Sequence, residues 1–356
     1  MTSNDHTRAT VEELSGFDTI IDARSPAEFA EDHIPGAINC PVLDNEQRIV
    51  VGTLYKQSSP FDARKVGAVL VARNVANHIE RFFSDKPKGW KPLVYCWRGG
   101  QRSGAFTHIL REVGWSAKRL QGGYKSWRHH VIEQLDVVPK ALRFTVVAGP
   151  TGSAKTRVLE ALQRQGQQVL NLEALAQHKG SVLGDLPGQP QPSQKMFETL
   201  VLEQLGRFDP ARTVFVESES KKVGQLRVPD AVYQGIQSGN WLRVQANMEQ
   251  RVQYLLRDYD YFLSGPVLEQ QLDRLKELCG GETVNRWKSL AASKDFATLV
   301  MELLSQHYDR HYLRSMSHQA HSDVPHATFV ADDLSDAGID VLARTIASVA
   351  APKAAC

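Results

Sequence analysis

The stretch "TVVAGPTGSAKT", Thr145 to Thr156, constrains this chain more than any other. An apolar run that breaks into a glycine-rich turn and resumes at Lys-Thr reads as strand, loop and helix, with the first N–H groups of the helix aimed at an anion. It is nearly the P-loop pattern G-x-x-x-x-G-K-[ST]. On that reading Gly149, Thr151, Gly152, Ser153, Ala154, Lys155 and Thr156 form a phosphate site. Backbone N–H groups cradle the anion, Lys155 neutralises it, and Thr156 could hold Mg²⁺. Ala154 stands where the pattern has glycine, and its methyl group fits if the residue has helical dihedrals. Downstream, "TVFVESES" ends an apolar run in Glu217 and Glu219. A carboxylate at such a strand end orients Mg²⁺ or its water, or else both are solvated. Arg251 and Arg257 follow the strand "WLRVQAN"; they either reach a phosphate or form a solvated helix face.

A second stretch, "LVYCWRGGQRSG", Leu93 to Gly104, repeats the strand-loop-helix plan around a thiol. Cys96 and Arg102 make a C-x5-R loop. Backbone N–H groups and a helix N-terminus near the sulfur favour the thiolate, which is the nucleophile. Gly99 and Gly100 shape the loop, and Arg98 and Arg102 can clasp an oxyanion. The catalytic candidates are therefore Cys96, Arg98 and Arg102. Two chemistries use such a loop: phosphatases attack phosphorus, and sulfur or selenium carriers attack the chalcogen. The loop alone leaves both open. Tyr95 precedes the cysteine, where phosphatases usually have histidine.

The 356 residues suggest two domains. A net charge of +2 says little about partners. No apolar run reaches the roughly 18 residues of a membrane helix, and the polar opening "MTSNDHTRATVEELSG" lacks a signal-peptide core. The expectation is a cytoplasmic protein with no membrane partner. The four cysteines are far apart, with no C-x-x-C pair, so neither a disulfide framework nor a metal cluster is expected and no metal site is assigned with certainty. Alternating strands and helices before residue 137 predict a parallel sheet covered on both faces. "LDVVPKALRF" reads as the linker, dividing the chain into 1–137 and 138–356, the latter ending in mostly helical additions. "GSVLGDLPGQPQPSQ", Gly180 to Gln194, reads as a flexible linker or a substrate lid. Between Trp97 and His130 lie seven Lys or Arg residues and one acid, interleaved with Trp97, Trp115, Tyr124 and Trp127. These either form a basic, base-stacking surface or divide into core tryptophans and solvated charges. "RDYDYF", Arg257 to Phe262, is a weaker candidate of the same kind.

"DARSPAEFAEDHIPGAINCP", Asp22 to Pro41, resembles the opening signature of rhodanese domains, and "LQGGYKSW" resembles the turn behind their active loop. Asp22, Arg24 and His33 read there as structural. Cys40 reads as structural or as a resolving thiol. With "VGTLYKQ", "YCWRGGQRSG", "HKGS", "QPSQKMFE" and "VESES", most of the chain resembles bacterial tRNA 2-selenouridine synthases. The resemblance implies an α/β protein: an N-terminal rhodanese-like parallel-sheet domain, then a P-loop NTPase-like α/β domain with helical additions. It also implies a two-step reaction on the wobble uridine of tRNA. S-geranylation of 2-thiouridine from geranyl diphosphate comes first, and selenium from selenophosphate then replaces the geranylated sulfur through Cys96. Both are substrates; no tightly bound cofactor is expected, and Mg²⁺ is optional. The competing classes are a P-loop kinase or ATPase with a regulatory rhodanese module, a C-x5-R phosphatase, and a binding module in which both cradles are relics.

Overall fold

The computed structural model describes residues 6–218, 220–260, 267–317 and 327–350. Glu219, Cys356 and the Tyr261–Phe262 end of "RDYDYF" lie outside them. The chain divides into two compact units, Met1–Gln134 with Ser193–Glu203, and Leu135–Pro192 with Gln204–Cys356. Among the described residues no helix is long and apolar enough to cross a membrane. The stretch expected to be a linker is helical up to Ala141: one helix runs Tyr124–Val137, a 3-10 turn follows at Val138–Ala141, and Arg143 already opens the next strand.

The first unit is built on a parallel sheet of β1 (Arg8–Ala9), β2 (Thr19–Asp22), β3 (Ile38–Asn39), β4 (Pro92–Tyr95) and β5 (Lys118–Leu120), in the order β1-β5-β4-β2-β3. Every residue of central β4 is buried, as a strand covered on both faces requires. Its core includes Ile21, Phe83, Trp90, Phe106 and Trp115, with the indoles of Trp90 and Trp115 edge-on at 5.1 Å. The Asp22 signature is a buried polar knot. Arg24 pairs with Asp22 at 2.6 Å, lies over the Tyr124 ring at 4.0 Å and donates to the Asp32 carbonyl at 2.6 Å. His33 stacks on Phe29 at 3.8 Å, with Nδ1 2.9 Å from the Phe29 carbonyl oxygen. Both features hold the chain entry in place, the structural role expected of them. The start of helix Gln194–Leu205 belongs to this unit: Lys195 pairs with Glu31 at 2.6 Å, and Glu198 with Arg128.

The second unit has a parallel sheet of β6 (Arg143–Ala148), β7 (Gln168–Leu170), β8 (Thr213–Glu217), β11 (Asn240–Gln245) and β12 (Ala327–Val330), ordered β12-β11-β6-β8-β7. A short antiparallel pair, β9 (Lys222–Val223) with β10 (Leu226–Arg227), stands apart from it. The chain leaves β6 toward the β8-β7 side and later returns to the β11-β12 side. The order therefore switches at β6, and α/β sheets bind ligands outside the carboxyl ends of strands at such a point. Helices Val267–Asp273, Gly281–Ala292 and Phe296–Leu303 pack a satellite core around Leu272, Trp287 and Leu299.

Candidate functional site

Two centres lie at carboxyl ends of central strands, one in each unit. In the first, Cys96 follows β4 directly and is 3% exposed. The helix Gln101–Glu112 begins at Gly100. Ser103, one turn inside it and fully buried, places its hydroxyl oxygen 3.1 Å from the Cys96 sulfur, where it can donate to a thiolate. Sequence reasoning missed this contact. The signal available was its position seven residues after a cysteine that ends a strand.

The loop is held from behind by the "QGGY" turn. The Cys96 carbonyl accepts from Tyr124 N at 2.8 Å, and the Trp97 carbonyl from Lys125 N at 3.1 Å. Gly99 has φ +64°, and a side chain there would meet the Leu120 carbonyl oxygen at 2.7 Å. Gly100 is the N-cap. The two loop arginines divide. Arg102 donates to Glu28 at 2.8 Å, while Arg98 is exposed and pairs with no acid among the described residues. Arg98 is the guanidinium left to meet an anion. Burial alone would raise the Glu28 pKa, but Arg102, the Ser25 N–H and Arg48 together hold it below the ordinary carboxylate value. Cys40 is 1% exposed, and burial, with Asp22 nearby, pushes its thiol up to about 12. That suits a core thiol, not a resolving one. Trp115, Tyr124 and Trp127 are buried, leaving Trp97 as the one partly exposed ring of the four. The broad stacking surface is not formed by these residues.

In the second unit the loop after β6 turns at Pro150, whose carbonyl oxygen accepts from Ser153 N and from Ser153 Oγ at 2.8 Å. A side chain at Gly149 would meet Ser153 Oγ at 2.6 Å. Gly152 has φ +86°. The helix Lys155–Arg164 follows. Ala154 does not have the helical dihedrals expected of it: φ 59° and ψ 25° put it in the left-handed region, the conformation for which the P-loop pattern uses glycine.

The register Val147↔Glu217 sets the end of β8 beside this loop. Lys155 Nζ lies 3.3 Å from Glu217. The Thr156 hydroxyl is 3.0 Å from both Glu217 and Glu173, each under 10% exposed. Thr156 has one proton, so only one of these carboxylates can accept it. Two buried carboxylates around a hydroxyl fit a hard divalent cation. Glu217 is not a solvated strand end, and Glu173 was missed because it lies in the short helix Leu172–Ala176, far from any motif.

Arg251 overturns both of its readings. It is 5% exposed and reaches no open phosphate position; its Nε donates to the Thr151 carbonyl at 2.8 Å, and its Nη atoms grip Asp309 at 2.6 and 3.0 Å. It buttresses the phosphate loop. Arg257 is exposed. The stretch after Gly180 is a strap rather than a free linker. Asp185 pairs with Arg274 and His178, and the Gln191 amide donates to the carbonyls of Ala176 and Val223. Ser181 of this strap, with Tyr254, Tyr259 and Tyr308, walls a cavity of about 660 Å³ over Lys155.

Comparison with known proteins covers both centres. Residues 7–130 match the rhodanese-like domain family, and residues 142–274 match the tRNA 2-selenouridine synthase AAA domain. The chain is 35% identical over 259 residues to the tRNA 2-selenouridine synthase of Nitrosomonas europaea, covering 71% of this chain and 66% of that protein. It is 34% identical to the Alcanivorax borkumensis protein of the same name, covering 73% and 72%, and 30% identical to that of Marinobacter nauticus, covering 76% and 78%. The first of these alignments thus spans just under two-thirds of the relative's own length. With a cysteine loop and a phosphate loop both built as their strand ends require, the chain belongs to the tRNA 2-selenouridine synthase family.

Proposed function

We propose that this protein converts wobble 2-thiouridine of tRNA to 2-selenouridine in two steps, one at each centre. The observation that carries the reading is the pairing of an intact thiol loop with an intact phosphate loop in one family member. In the first step the sulfur of thiouridine attacks C1 of geranyl diphosphate. A C–S bond forms, the allylic C–O bond breaks, and diphosphate leaves with the electron pair. Charge builds on the leaving oxygens, and Lys155 with the loop N–H groups is the arrangement that stabilises it. Thr156, Glu173 and Glu217 would hold Mg²⁺, which supplies further neutralisation of the diphosphate.

Alkylation makes the sulfur a competent leaving group from C2. In the second step Arg98 receives selenophosphate at the Cys96 loop. Attack by sulfur on selenium would leave selenium on Cys96 and expel phosphorus at the phosphite level, a poor leaving group. Attack on phosphorus forms a Cys96 S–P bond, breaks the Se–P bond and frees hydroselenide with no redox change; water then hydrolyses the S–P bond, releasing inorganic phosphate and the thiol. Hydroselenide then adds at C2, and geranylthiol departs.

The Thr156–Glu217 pair equally suits a nucleotide–Mg²⁺ complex, which keeps a P-loop ATPase as the second reading. Mass analysis of tRNA nucleosides after incubation with geranyl diphosphate and selenophosphate separates them. Cys96→Ala should stop selenium incorporation and leave geranylation; Lys155→Ala should impair geranylation. Metal-dependent ATP turnover that survives Cys96→Ala, with no modified nucleoside formed, overturns the synthase reading.

A further inference from the structure

Leu278, His307 and His311 line the cavity over Lys155 and also a second, smaller cavity of about 190 Å³. Cys279, Thr283, Arg310 and Arg314 stand around the smaller one, and no carboxylate lines it among the described residues. Of the two cavities, Arg310 and Arg314 line only the smaller. The helix that carries most of these groups changes pitch to place them. Between Phe296–Leu303 and Asp309–Ser317 it makes a π turn, Leu304–Tyr308. Such wide turns are rare and concentrate at functional sites. Here His307 is 4% exposed, edge-on to Tyr308 at 4.8 Å and 4.7 Å from the His311 ring. Its Nδ1 lies 3.5 Å from Cys279 Sγ. Burial raises the thiol pKa, against the pull of Arg310, and lowers the imidazole pKa. The thiol therefore keeps its proton, the neutral ring accepts it at Nδ1, and Nε2 carries the ring N–H.

Guanidinium groups and other donors with no carboxylate among them suit an oxyanion. The 190 Å³ has room for about twelve to nineteen water-sized groups, more than a bare phosphate fills and close to a hydrated sugar phosphate. Leu278, which is 56% exposed on the wall common to both cavities, offers the apolar contact that a ribose takes. A base and its phosphate are one ribose apart, and the two cavities share a wall. We propose that the smaller cavity seats a phosphodiester of the tRNA backbone flanking the wobble nucleotide, while the base of that nucleotide enters the cavity over Lys155. The assignment rests on reading the phosphate loop as the site of the first step.

The test is anisotropy titration of the full chain with a fluorescent anticodon stem-loop RNA carrying 2-thiouridine at the wobble position. Two analogues each carry an uncharged methylphosphonate at one of the phosphates flanking that nucleotide. Arg310→Gln should weaken binding of the unmodified RNA about tenfold and lower the salt slope by about one. Geranyl diphosphate binding, followed by calorimetry, should not change. One of the two analogues should bind the parent about tenfold more weakly and bind the Arg310→Gln protein no more weakly than the unmodified RNA does. Arg310→Lys should recover part of the loss. Arg314→Gln is read in the same way if circular dichroism shows Arg310→Gln unfolded. RNA binding that ignores both arginines overturns the seat, as does dependence on them by inorganic phosphate alone. Loss at the arginines with no loss at either methylphosphonate also overturns it, because the contact is then to another phosphate. A parent that forms no geranylated nucleoside, yet still couples Arg310 to one methylphosphonate, leaves the seat standing and removes the reaction assigned to the phosphate loop.

Discussion

Gly123 lies directly against the carbonyl of Cys96. A side-chain carbon at position 123 would overlap that oxygen and the Gly99 nitrogen, both backbone atoms, and Gly123 has φ +63°. Neither neighbour can swing aside. Gly123→Ala should therefore cost the first unit about 2–4 kcal/mol, combining left-handed strain and overpacking. Selenium incorporation should fall with it while geranylation continues. Thermal unfolding and nucleoside analysis check this; a variant with parental stability and selenation would mean that the turn does not brace the thiol loop.

Arg251 connects the phosphate loop to Asp309. Arg251→Ala leaves the Thr151 carbonyl without its donor and Asp309 without its counter-ion. Asp309 is partly exposed, so the loss should be about 2–3 kcal/mol, below the range for a fully buried pair. Arg251→Lys retains charge but cannot serve both partners and should weaken diphosphate binding at least tenfold. Undiminished binding by the lysine variant would show that the loop stands without this buttress.

Ala154 bears left-handed strain of about 1–2 kcal/mol. Ala154→Gly relieves it but loses a buried methyl, about 0.8 kcal/mol, and loosens the unfolded chain by about 0.4–1 kcal/mol. These terms nearly cancel, so the glycine variant should lie within about 1 kcal/mol of the parent. Ala154→Val should lose clearly more, because a β-branched residue is poorly tolerated at positive φ. Chemical denaturation compares the two; equal stability of the valine variant and the parent would contradict the observed backbone.

His78, His178 and His307 are held below the ordinary imidazole pKa, in each case chiefly by burial. The Pro41 carbonyl opposes the shift at His78 and Asp185 opposes it at His178, while His311 adds to it at His307. Below about pH 6.5 the unfolded chain therefore binds protons that the folded chain does not. Their contribution is complete above that pH and is lost as pH falls toward the folded values. The urea midpoint should drop between pH 7.5 and 5.5, and His307→Gln should shrink the drop. A midpoint that rises on acidification would refute the assignment.

Local sequence determined the two cradles. An apolar run followed by glycines, and then by Lys-Thr or by an arginine-bearing helix start, permits little besides strand, loop and helix, because residues adjacent in sequence make those contacts. The Asp22–Arg24 pair is equally local, although Arg24 also lies over the ring of the distant Tyr124. What the sequence left open depends on long-range approach. Glu173 meets Thr156 across 17 positions and Arg251 meets Thr151 across 100, and no spacing rule links them. Arg102 could not be told from Arg98 until Glu28 was placed beside it. Trp115 and Trp127 join the core only because helices cover the sheet, and an apolar slot beside Thr151 exists only where helices distant in the chain meet the phosphate loop. Side-chain periodicity encodes elements; which charges and cavities those elements share is decided by packing.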